Sequence, residues 1–133
     1  MISVRKLILG TFFLLILFLF ACQENESDLE FVGEGGNWSS KVTVNQTDGD
    51  ETYQIQINYK GQSIQEIEAF SYSVETKSNG IYNFSENNIS LNKEGVYQKN
   101  LPISNSSSAN VKDELVIKLE WNGNSENFML INE

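Results

Sequence analysis

The chain has no histidine, one cysteine, one proline and only 9 cationic side chains against 18 acidic ones in 133 residues. Each shortage closes a class of function. Without imidazole there is no Ser-His-Asp or Cys-His nucleophile activation, no histidine proton shuttle and no His-containing metal site. A single thiol allows neither an internal disulfide nor a thiolate zinc cluster. Cations are too few to displace counterions from a phosphate backbone, so nucleic acid is not an expected partner. That shortage is sharper than the totals suggest, because Arg5 and Lys6 both lie in the first 21 residues. Beyond them seven lysines face all 18 acids, a net charge of −11 on 112 residues. Such a length suits one domain with a modest core.

What is present begins with an apolar stretch. Sixteen of the first 21 residues are apolar, and Leu7 to Ala21 is interrupted only by Gly10 and Thr11. A stable membrane span takes about 17 to 25 such residues, so this run is short, and with the Arg5-Lys6 pair ahead of it the pattern is that of a signal peptide. The run stops at Leu19-Phe20-Ala21-Cys22 and gives way at once to Gln23-Glu24-Asn25-Glu26. This junction resembles the lipobox of bacterial lipoproteins, in which a small residue precedes a cysteine that is lipidated and becomes the new N-terminus. Leu19 and Ala21 match that pattern, while Phe20 is bulkier than its usual residue. The resemblance implies that Cys22 carries a thioether-linked diacylglycerol and an N-acyl chain such as palmitate. With more than one acyl chain the anchor is durable. The expected location is the extracytoplasmic face of the cell membrane, with no transmembrane helix left after cleavage. An uncleaved signal anchor, with Cys22 at the membrane edge, is the alternative.

Residues 22–36 are expected to form an acidic tether, with five acids, no lysine and the Gly35-Gly36 pair. The folded domain is then residues 37–133. From Trp38 onward the apolar period is two, which is the period of strands with one buried face. Tyr53, Ile55, Ile57 and Tyr59 alternate with Gln54, Gln56 and Asn58, and Leu115, Ile117, Leu119 and Trp121 alternate in the same way. Asn122-Gly123 after that run is a two-residue hairpin signal, returning through Phe128 and Leu130. Ile64 and Ile67 are out of phase with Phe70, Tyr72 and Val74, so a bulge or a strand restart is expected near Ala69. Seven or eight short strands with Gly and Asn punctuation predict an all-β antiparallel sandwich, with an immunoglobulin-like topology favoured and a small closed barrel as alternative. The segments Gly33-Glu34-Gly35-Gly36-Asn37-Trp38 and Glu120-Trp121-Asn122-Gly123 resemble small uncharacterised lipoproteins of spore-forming bacilli. That resemblance implies location and fold class and carries no known activity.

Four groups are candidate sites. Glu66 and Glu68, if both lie in one strand, stand about 6.6 Å apart on one face, within the carboxylate separations used in glycoside hydrolysis. Any E-x-E in a strand meets that spacing, so a solvated face is the favoured reading. Asp48, Asp50 and Glu51 offer calcium the oxygen ligands it prefers, without the remaining ligands of an EF-hand loop. Trp38 and Trp121 could stack on sugars, but the phase of Trp121 assigns it to the core. The uncharged face of Gln54, Gln56 and Asn58 could meet a partner. No cofactor and no catalytic residue is expected, and lipidation of Cys22 is the one modification expected. The leading expectation is a lipid-anchored, non-enzymatic binding or interaction module that meets an envelope protein or a cell-wall component. An inhibitor or accessory subunit of an envelope enzyme, working through a strand edge or the Ser104 to Asn110 loop, is the alternative. A carboxylate-based glycan hydrolase is the third.

Overall fold

A computed structural model describes residues 26–47, 50–77, 83–101 and 112–133. Eight strands run through them: β1 (Glu26–Glu34), β2 (Trp38–Thr47), β3 (Asp50–Tyr59), β4 (Phe70–Thr76), β5 (Asn83–Ile89), β6 (Val96–Leu101), β7 (Glu114–Trp121) and β8 (Asn124–Asn132). The expectation of an all-β chain holds. All eight belong to one curled antiparallel sheet in the order β5-β4-β7-β8-β1-β2-β3-β6. No helix among the described residues is long and apolar enough to cross a membrane.

Alternation sets the inner face. Val42, Ile55 and Phe31 sit side by side in register across β2, β3 and β1, while Ile117 and Val74 do the same across β7 and β4. All five are at most 1% exposed. Trp38, also fully buried, sits against Tyr59 and Phe70, each with its ring centre 5.1 Å away, and meets Trp121 edge-on at 5.4 Å. In the absence of a disulfide, this aromatic cluster and the aliphatic rows around it supply the hydrophobic stabilisation.

Two local expectations are met and one is corrected. The β7–β8 hairpin turns at Asn122 and Gly123, both in the left-handed region at φ 47 and 77, as a two-residue primed turn requires. The phases are separated by a strand start, since β4 begins at Phe70 after the 3-10 turn; a bulge also lies nearby, on the partner strand, where Phe70 pairs with Ile89 but Tyr72 with Glu86, so β5 carries an extra residue. Asn88, at φ 57, accommodates it. Ile64 to Glu66 is a 3-10 turn rather than strand.

The correction concerns the tether. Residues 26–34, expected within a tether spanning 22–36, form β1, paired with β2 over nine residues and with β8 at Phe31–Asn132 and Val32–Ile131. Leu29 and Phe31 turn inward and Asp28 and Glu30 outward, a strand alternation hidden by the acidity of its outer half. Among the described residues the fold therefore starts at Glu26. The sheet is narrowest at this β1–β8 joint, where those two pairs, a bond from the Glu133 amide to the Glu30 carbonyl at 3.1 Å, and bonds from the Asn37 amide and side chain to the Glu126 carboxylate at 3.1 Å connect its halves. Gly33 makes the crossing possible, since a Cβ there would stand 2.0 Å from the Met129 carbonyl oxygen.

Candidate functional site

The densest cluster of ionisable groups on the inner face lies where the two edge strands of the curled sheet face each other. Phe84 pairs with Val74 and Glu86 with Tyr72, so the phase of β5 turns Glu86 inward. On β6, Tyr97 pairs with Ile57 and Lys99 with Ile55, which turns both of them inward as well. Three donors converge on one carboxylate. Tyr72 Oη donates to Glu86 Oε2 at 3.0 Å, Tyr97 Oη donates to the same oxygen, and Lys99 Nζ donates to Oε1. Rings complete the seam: Tyr53 meets Phe84 at 5.5 Å, and Tyr97 meets Phe70 and Tyr72 at 5.8 and 6.1 Å.

The electrostatics follow from those contacts. Burial pushes the Glu86 carboxyl up, but the bonds from Lys99, Tyr97 and Tyr72 together outweigh it and hold the group below its ordinary value of 4.5. Burial, reinforced by the Glu86 charge, pushes Tyr97 up to about 12 and raises Tyr72 further. At neutral pH this is one ionised acceptor surrounded by protonated donors. An acid that releases its proton too early and phenols that hold theirs too long suit a latch better than proton transfer.

A second inward carboxylate lies toward the start of β3. Glu51 is 5% exposed, accepts from Tyr53 Oη at Oε2 and receives Gln46 Nε2 at 2.9 Å on Oε1. With Asp48 and Asp50 it was a candidate calcium ligand. Its carboxylate is instead engaged inside the sheet, Asp48 lies outside the described residues, and no group of three or more acidic or thiol ligands is gathered among the described residues.

No protein-family model, curated protein or solved structure matches this chain.

The other candidates separate. Glu66 ends the 3-10 turn and Glu68 lies beyond it, both exposed, so the common strand that would fix their spacing does not form. Ile64 and Ile67, three residues apart, fit a turn and not a strand, which is why the alternation fails there. Trp38 and Trp121 are 0% and 9% exposed, which removes both as open stacking platforms. Among the described residues the Trp38 indole N–H is buried without a hydrogen-bond partner. Gln54, Gln56 and Asn58 form a half-buried outer row of β3, beside Thr43, Lys41 and Ser39 of β2. Cys22 and the Ser104 to Asn110 loop lie outside the described residues. The Glu86 cluster was not anticipated from sequence, although a signal existed: Phe84 and Glu86 share one parity, which puts an acid in phase with an aromatic core residue.

Proposed function

We propose that this chain is a lipid-anchored extracytoplasmic lipoprotein whose domain acts as a non-enzymatic binding or interaction module. The observation that carries the reading is the junction Leu19-Phe20-Ala21-Cys22, which ends an apolar run of signal-peptide length and is followed within four residues by the first strand of the fold. Mass spectrometry of the N-terminal peptide from the membrane fraction should find acyl chains on Cys22, and Cys22→Ser should release the protein from that fraction. An unmodified cysteine, or a Cys22→Ser form that still fractionates with membrane, would end the proposal.

Sandwich-like packing belongs to the same reading. Support comes from the narrow β1–β8 joint, which divides the sheet into β5-β4-β7-β8 and β1-β2-β3-β6, and from ring contacts such as Trp38–Trp121 between the two halves. An immunoglobulin-like form would stack two such layers about 10 Å apart. The alternative role, an inhibitor or accessory subunit of an envelope enzyme, is favoured by the free outer edges of β5 and β6, each paired on one side only among the described residues.

A further inference from the structure

We infer that the domain stands end-on to the membrane, with the Glu26 end of the sheet against phospholipid headgroups and the loops of the opposite end facing outward. The inference rests on the lipid anchor at Cys22 and adds an orientation to it. Neighbours in the sheet order alternate without exception between odd and even strands, and every pairing is antiparallel. All odd strands therefore run one way and all even strands the other. The chain enters at the start of β1, so the β2–β3, β4–β5 and β6–β7 connections leave from that same lower end, and the chain returns to it at Asn132. The β1–β2, β3–β4, β5–β6 and β7–β8 connections all lie at the upper end. Contacts among them agree: the Lys60 amide donates to the Asn37 carbonyl at 2.8 Å, the Tyr59 amide to the Gly95 carbonyl at 2.9 Å, and Asn122 Nδ2 to the Glu66 carbonyl at 2.8 Å.

Chain length then fixes how far the lower end can stand off. Cys22 and Glu26 are four Cα steps apart, a reach of at most about 14 Å. A strand of ten residues such as β3 rises about 33 Å, or on the order of 25 Å once tilt is allowed for, which carries the upper loops beyond the leash. Had residues 22–36 been a free tether, either end could have met the bilayer. On the outer face of β8, Met129 and Ile131 are 38% and 52% exposed, paired with Val116 of β7 and Val32 of β1, so side-on contact there is the competing geometry.

The test uses full-length lipidated protein in vesicles containing phosphatidylglycerol and a headgroup-attached quencher. Lipidation blocks the Cys22 thiol, so a fluorophore can be placed singly at Lys77→Cys (lower end), Gln62→Cys (upper end) or Asn127→Cys (beside Met129). The expected result is quenching at 77 several-fold stronger than at 62 or 127. Adding twelve Gly/Ser residues between Asn25 and Glu26 should bring all three towards one value. Equal quenching at 77 and 62 in the parent chain, or strongest quenching at 127, overturns end-on orientation while leaving the anchor intact. A contrast that survives the insertion overturns the short leash as its cause. Mass spectrometry of the same samples separates these outcomes from loss of the anchor, since an unmodified Cys22 overturns anchor and orientation together.

Discussion

At the β1–β8 joint the adjoining strands are held by backbone, through two residue pairs and the Glu133–Glu30 bond; at the β5–β6 seam the edge strands are held by side chains, through Glu86, Tyr97, Lys99 and the rings around them. The two closures ask different things of the sequence. A backbone joint makes almost no demand on side-chain identity except where strands cross too closely for a Cβ, and that demand falls on Gly33. A side-chain seam leaves two free edges, which would be templates for another strand. Here both edges point a charge inward, Glu86 from β5 and Lys99 from β6, and each charge is neutralised by the other. A second copy pairing with either edge would have to leave one of those charges without its partner.

The largest expected effect is at the joint. In Gly33→Val the new Cβ would overlap the Met129 carbonyl oxygen, a backbone atom that cannot rotate away, so β1 and β8 must separate. A loss of about 3 kcal/mol is expected, at the upper end of what overpacking costs, because β1 and β8 share two ladder pairs and the overlapping atom is backbone. Urea unfolding of the soluble domain starting at Glu26 would measure it. A loss under about 1 kcal/mol would mean that the curl of the sheet does not depend on this crossing.

The difference between joint and seam also explains what could be read from the sequence. Strands whose apolar residues alternate with uncharged polar ones, such as Tyr53 to Tyr59, and the Asn122-Gly123 turn were legible because local period and turn chemistry decide them. β1 was not legible, since Leu29, Phe31 and Val32 are three apolar residues in an acidic segment whose strand character depends on β2 and β8 lying on either side. The seam was less legible still. Tyr72, Glu86, Tyr97 and Lys99 come from three strands at opposite ends of the sheet order, and only the curl of the sheet brings β5-β4 and β6 into contact. Period assigns each residue a face; it says nothing about which edges meet.

At the seam, Glu86→Ala is expected to cost about 2 kcal/mol, chiefly because the Tyr72 hydroxyl, in a residue 2% exposed, loses its acceptor. Glu86→Gln keeps an acceptor and should lose less. The pH dependence separates charge from packing. Since the folded-state value lies below the ordinary 4.5, the contribution of ionised Glu86 is complete above that value and lost as the pH falls through the lower one. The advantage of the parent protein over Glu86→Gln should therefore be constant near neutrality and shrink below pH 4.5. A difference that stays flat down to about pH 3 would show that the seam is held by shape and hydrogen bonding without the charge.

The smallest effect should come from Lys99→Met, although Lys99 is the only cation on Glu86 among the described residues. Its side chain is 47% exposed, whereas that of Glu86 is 19% exposed, so solvent screens the ammonium far more than the carboxylate. Methionine keeps much of the aliphatic stem that passes over the inner face, and Tyr72 and Tyr97 still satisfy the carboxylate. A loss of about 0.5 kcal/mol is expected, reduced further in high salt, as exposed ion pairs behave. The more telling readout is association. With Lys99 gone, β6 no longer carries an inward charge, and sedimentation velocity at high protein concentration should show more self-association than the parent chain does. If Lys99→Met stays monomeric, edge protection rests on Glu86 and on the β5 bulge at Asn88; if Glu86→Gln associates where Lys99→Met does not, the guarded edge is β5.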